Sequence, residues 1–266
     1  MSLALGIQLT LPEDFTRDRE FAAILSFARD AGLSELELNI ADPFQLDPAD
    51  ISAFLRRFGL PLTRFATGAT ARRFSLSLCS ADPTARQRSV RRCVQCLRFA
   101  ERFPAALIIG YLKGPPEPDV GAARRFFRRS LAEIVAAVGR SPVPVLIEAT
   151  NRRESSVVNT LEEAARLLAA WPDFGFRILP DTYHLAAEGI EIAESLARHL
   201  PLYDSLHISD DNRLFPGLGS IDFPRIFRCL HDIGYAGSLV IEGSHRGSLL
   251  EDLRLSLEYL ARAARF

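Results

Sequence analysis

The sequence predicts an α/β chain folded as one (β/α)8 barrel, and three observations carry that expectation. Short apolar runs alternate with amphipathic segments from end to end, eight strand-like runs can be counted, and the total of 266 residues matches the ~250 that such a barrel typically needs. Strands that alternate with helices of this length imply a parallel sheet. A doubly wound open sheet is the competing arrangement, but the glycine fingerprint that usually follows its first strand is absent. No linker or low-complexity stretch divides residues 1–266, so a single domain is expected.

The elements follow in order. LALGIQL (3–9) reads as the first strand, and DREFAAILSFARDAG (18–32) as its helix, with apolar residues three and four apart and a closing glycine. LSELELNI (33–40) and LPLTRFAT (60–67) supply strands two and three. A helical segment containing VRRCVQCLRFAERF leads into the fourth strand, AALIIGYL (105–112). AARRFFRRSLAEIVAAVG (122–139) precedes strand five, VPVLIEAT (143–150). TLEEAARLLAAW (160–171) opens on Thr160 with the Thr-x-x-Glu pattern of a capping box. FGFRILPDT (174–182), YDSLHIS (203–209) and GSLVIEG (237–243) are the last strands, and SLLEDLRLSLEYLARAA (248–264) is the closing helix.

Composition excludes several classes of function. The formal net charge is −1 with no basic stripe, which argues against a nucleic-acid partner. Lys113 is the only lysine. Cys93 and Cys96 form a C-x-x-C, but within a helical period and without the second pair that a zinc ribbon needs, so both are expected to face the core. The first residues lack a basic leader followed by an apolar segment, and no run reaches the ~18 apolar residues of a membrane span. A cytoplasmic protein is expected.

A barrel places function at the carboxyl ends of its strands. Four late strands carry ionisable groups there: Glu148 in VLIEAT, Asp181 and His184 in RILPDTYH, His207 in SLHIS and Glu242 in LVIEG. A carboxylate that follows three aliphatic residues in a buried strand is costly unless neutralised. Any one of them could pair with an arginine. Four on successive strands point instead to a shared counter-charge, and two Glu, one Asp and one His form a hard, oxygen-rich set suited to one divalent ion. Mn²⁺ is the first choice, with Mg²⁺, Co²⁺ or Zn²⁺ as options. Such a site stays slightly anionic and suits a small neutral sugar or polyol. His199, His231 and His245 are assigned to surface or packing roles. Glu35 and Glu37 alternate on strand two, where one could face the barrel mouth or simply a solvated layer.

At these residues the sequence resembles the ketohexose 3-epimerases (D-tagatose and D-psicose), part of the xylose-isomerase-like TIM barrel superfamily. IEATNRRESSVVNTLEEA (147–164) is similar to that family's Glu-x-x-Asn-Arg-x-Glu segment. PDTYHLAAEG (180–189) is similar to its Asp-Thr-Phe-His segment. HISDDNRLFPGLGSIDFPRIFRCLHDIGYAGSLVIEG (207–243) is similar to its His-x-x-Asp-x-x-Arg, Pro-Gly-x-Gly and final Glu. Ser220 stands where the family often has His. The resemblance implies that Glu148, Asp181, His207 and Glu242 hold the metal, that Glu148 and Glu242 also act as the acid–base pair, and that Glu154, His184 and Arg213 contact the sugar. It implies epimerisation or isomerisation next to a carbonyl through an enediolate, and an assembly that is commonly a dimer or tetramer. A cyclitol or sugar dehydratase of the same superfamily is the alternative. An abasic-site endonuclease fits less well, because no histidine precedes His184. A salt bridge to Asp210 or Asp211 is the competing role for Arg213.

Overall fold

The computed structural model describes residues 3–264; positions 1, 2, 265 and 266 of the expected domain lie outside them. Eight parallel strands form the barrel: β1 (Ala4–Thr10), β2 (Glu35–Asn39), β3 (Leu62–Ala66), β4 (Ala106–Ile109), β5 (Val145–Glu148), β6 (Phe176–Leu179), β7 (Ser205–Ile208) and β8 (Ser238–Ile241). The helices are α1 (Arg19–Asp30), α2 (Pro48–Arg56), α3 (Gly68–Phe74), α4 (Pro83–Ala100), α5 (Val120–Val138), α6 (Leu161–Leu168), α7 (Thr182–Ala187), α8 (Ile192–His199), α9 (Phe223–Asp232) and α10 (Leu249–Ala263). Sheet order runs β6-β5-β4-β3-β2-β1-β8-β7. The remaining seam, between β6 and β7, is closed just beyond β6 by a parallel bridge between Asp181 and His207, with His207 N–H donating to Pro180 O at 3.0 Å.

The helices start where the sequence provides a short oxygen-bearing side chain. Asp18, Asp47, Asp82 and Asp119 cap α1, α2, α4 and α5 by accepting from first-turn amides. Thr160 caps α6, accepting from Glu163 N at 3.1 Å. The reciprocal arm of the box lands one residue early: Glu163 accepts from Asn159 N at 2.8 Å, outside the cap. Gly32, at φ +88, ends α1 in a conformation that glycine adopts without a steric penalty.

Most of the apolar core lies between the sheet and the helices, built from residues such as Ile7, Leu36, Leu38, Leu107 and Ile147. Side chains alternate along a strand, so every second position turns into the barrel. There Ala66, Ile108, Leu146 and Leu179 form a small separate cluster. Polar groups make up much of the rest. Arg64 pairs with Glu35 at 2.6 Å and also donates to Ser238 Oγ. Cys93 and Cys96 are fully buried in α4, and burial pushes the Cys93 thiol up to about 12, far from the acidified thiol of a redox site.

Candidate metal centre

The period of two that builds the barrel also aims its functional groups. Leu146 and Glu148 share one face of β5, Ser205 and His207 one face of β7, and Val240 points the same way as Glu242, the residue that follows β8. Asp181 lies two residues past β6 and is the N-cap of α7, so its Oδ1 accepts from Tyr183 N at 2.7 Å and His184 N at 3.4 Å. Its other oxygen is left to face the barrel mouth.

Glu148, Asp181, His207 and Glu242 each offer one ligand atom, and these atoms all lie within 4.8 Å of one another. His207 Nδ1 is 2.6 Å from Glu242 Oε2 and 3.5 Å from Glu148 Oε1. Neither approach has the alignment of a hydrogen bond. Glu148 Oε1, His207 Nδ1 and Glu242 Oε2 are all buried without a hydrogen-bond partner. Three buried ligand atoms that converge from three strands without a hydrogen bond are costly unless a cation satisfies them together, so the donor set fits a divalent ion. Glycine at position 110 keeps the space open, because a Cβ built there would overlap Glu148 Oε2.

Arg213 reaches this cluster rather than its sequence neighbours. It donates to Asp181 Oδ2 at 2.7 Å and lies 3.0 Å from Glu242 Oε1. Asp210 and Asp211, the local partners considered for it, are committed elsewhere. Asp210 accepts from the amides of Gly217 and Ile221, both at 2.8 Å, and Asp211 accepts from Ser220 N at 3.0 Å. That loop turns Arg213, at φ +64, back over the barrel and over the Tyr183 ring. Burial opposes charge on Glu242, but Arg213 and His207 outweigh it and hold its carboxyl well below the usual range. Burial dominates at Asp181 and raises its pKa despite Arg213. His207 is also buried, yet Glu37 and then Glu242 hold its imidazole well above the ordinary value in the ion-free arrangement.

His184 sits beside the cluster, its Nε2 3.7 Å from Glu148 Oε1. Asn151 N–H donates to His184 Nδ1 at 3.2 Å, so that nitrogen is the acceptor and the proton sits on Nε2, facing the site. Burial lowers its pKa to about 4 and keeps it neutral. Glu154, held by Asn151 Nδ2 at 3.3 Å, lines the same cavity. The structure therefore gathers all seven residues named from the sequence.

It also adds residues from the first four strand–helix units. Gln8, Asn39, Arg72 and Tyr111 line the cavity, and the Arg72 guanidinium lies 4.6 Å from the Tyr111 ring centroid. The cavity encloses about 50 Å³, room for an ion and a few waters. Lys113 is fully buried beneath it, donating to Glu148 O at 2.6 Å, Thr150 Oγ1 at 2.8 Å and Val158 O at 3.1 Å. Its status as the sole lysine is the only sequence signal that could have drawn attention to it.

Comparison with known proteins agrees with the barrel fold. The model of the xylose isomerase-like TIM barrel family matches residues 25–263. A ketose 3-epimerase from Arthrobacter globiformis is 26% identical over 231 residues, covering 85% of this chain and 78% of its own. An L-ribulose 3-epimerase from Mesorhizobium japonicum is 24% identical over 242 residues, covering 90% and 80%. Among solved structures, an L-ribulose 3-epimerase superposes with a TM-score of 0.80 at 18% identity, covering 99% of this chain and 95% of the other, a likeness of fold.

Proposed function

The chain belongs to the xylose isomerase-like TIM barrel family, and on that premise we propose that it is a divalent-metal-dependent sugar epimerase acting at a carbon next to a carbonyl. The observation that carries this reading is the convergence of Glu148 Oε1, His207 Nδ1 and Glu242 Oε2, all buried without a hydrogen bond, beside Asp181 at the strand ends. Sugar 3-epimerases among the relatives support the reaction class.

Glu148, Asp181, His207 and Glu242 would hold the ion, with Mn²⁺ the first choice for three carboxylates and one imidazole. When bound, it would act as a Lewis acid that polarises the sugar carbonyl and makes the neighbouring C–H acidic. Glu148 and Glu242 come from strands three positions apart and flank the place of reaction. One takes the proton from carbon and the other returns a proton to the opposite face, which inverts the centre. Positioned acid–base groups of this kind typically contribute about 10²–10⁴-fold. His184 Nε2–H and the Arg213 guanidinium are fixed donors for the oxygen on which charge develops. Glu154 would accept from a sugar hydroxyl. The substrate class is a small neutral sugar or polyol.

The test is incubation of the Mn²⁺-loaded protein in D₂O with a panel of ketoses. The expected result is conversion to an epimer carrying one deuterium at the inverted carbon. Absence of both exchange and conversion across the panel would overturn the reading. Loss of water from the substrate would assign a dehydratase instead, and nicking of abasic DNA an endonuclease.

A further inference from the structure

Glu37 is completely buried at the third position of β2, yet it lies outside the set of ligand atoms that could hold an ion. Its Oε2 is 2.9 Å from His207 Nε2, and its Oε1 accepts from Gln8 Nε2 at 2.6 Å. The three residues come from β2, β7 and β1, so a hydrogen-bonded chain crosses the barrel interior directly beneath the candidate metal centre. The opposite ring nitrogen, Nδ1, points to Glu148 and Glu242.

An imidazole binds an ion only through a nitrogen that carries no proton, and rotation about its side-chain bonds can present either nitrogen. A buried carboxylate on Nε2 removes that freedom, because a carboxylate accepts and never donates when ionised. With an ion bound, the one remaining ring proton is therefore held on Nε2, and Nδ1 offers its lone pair to the site. The carboxylate also makes the ring a stronger donor to a cation. Gln8 fixes Glu37 in turn, which sets the plane of the ring.

We infer that Glu37 is a positioning residue for the metal centre: through Nε2 it locks the tautomer and orientation in which His207 offers Nδ1 to the ion. This rests on the metal site of the proposed function, and its test reads ion binding and protonation rather than turnover. Mn²⁺ and Zn²⁺ affinities of the stripped full-length protein are measured by chelator competition for wild type, Glu37→Leu and Glu37→Gln. Outer-sphere partners of this kind typically account for about 10–100-fold in affinity. Glu37→Leu is expected to lose that much, and Glu37→Gln, which retains an acceptor oxygen, to lose less. A role confined to folding would lower the melting temperature of both variants and leave the affinities unmoved.

In Zn²⁺-loaded wild type, ¹⁵N NMR should place the remaining His207 proton on Nε2. A proton on Nδ1, or wild-type affinity in Glu37→Leu, overturns the inference. Should Glu37→Leu fail to fold, Glu37→Gln decides: weaker binding supports the role and unchanged binding refutes it. A wild-type chain that binds neither ion sinks this inference and the proposed function together. One that binds ions through His207 Nδ1 but converts no sugar sinks only the function.

Discussion

Asp181 and His207 form the main-chain bridge that closes the barrel between β6 and β7, and the same two residues turn their side chains into the candidate metal centre. An ion held by both would therefore clamp the seam that has the least strand pairing. Mn²⁺ is expected to raise the melting temperature in a concentration-dependent way. At a hundredfold excess over Kd the linkage is worth about 2.7 kcal/mol, or roughly 5–10 °C for a chain of this size. Differential scanning fluorimetry with and without a chelator checks this, and no shift with any divalent ion would count against the clamp.

Gly110 lies where any side chain would displace the Glu148 carboxylate. At φ −103° and ψ −95° its backbone lies outside the regions that alanine favours, so Gly110→Ala is expected to lower the melting temperature. It should also weaken metal binding by at least about tenfold, because the Glu148 carboxylate is pushed from its place. Calorimetric titration of the stripped variant, alongside its melting curve, separates lost affinity from lost stability.

Lys113 ties the end of β5 to the loop behind it through three buried acceptors. Burial lowers its pKa to about 8, which measures the cost of placing an ammonium there. Lys113→Met removes that cost but leaves Glu148 O and Thr150 Oγ1 without this donor, while Val158 O keeps the Thr150 N–H at 3.2 Å. Each orphaned group costs about 1–3 kcal/mol, so a net loss of roughly 2 kcal/mol is expected. Urea unfolding of the two proteins gives the difference, and a variant as stable as wild type would show that water or a neighbour replaces the ammonium.

His184 is held neutral in the fold, with its pKa lowered by burial to about 4 from the ordinary 6.5. Between those values the unfolded chain binds a proton that the folded chain refuses, so stability rises with pH across that window. The contribution is complete above pH 6.5 and about 3 kcal/mol of it is lost by pH 4. His184→Gln removes the titration while keeping an acceptor for Asn151. In metal-free urea melts, wild type should lose more stability than the variant between pH 7 and 4.5. Parallel curves would show that His184 does not carry the effect.

Several features were legible in the sequence because they repeat with the period of the structure. Eight apolar runs separated by helical faces allow few arrangements other than a barrel. A lone acidic residue after a run such as VLI or LVI marks a strand end that needs a counter-charge. Cys93 and Cys96 could be assigned to the core from helical spacing alone.

What the chain order could not convey was which distant group each side chain meets. Glu35 and Glu37 share one face of β2, but one pairs with Arg64 at the far end of the barrel and the other with His207, 170 residues away. Arg213 had two acidic neighbours in sequence and uses neither as an ion-pair partner, because backbone amides engage both first. The sequence by itself determined the barrel, its strand ends and the chemical character of the groups they carry, since periodicity and the cost of burying charge are local properties. Only the tertiary structure decided that Glu37 backs His207, that Lys113 holds Glu148, and that Arg213 spans Asp181 and Glu242, because these pairings depend on how eight strands tilt and close around a common axis.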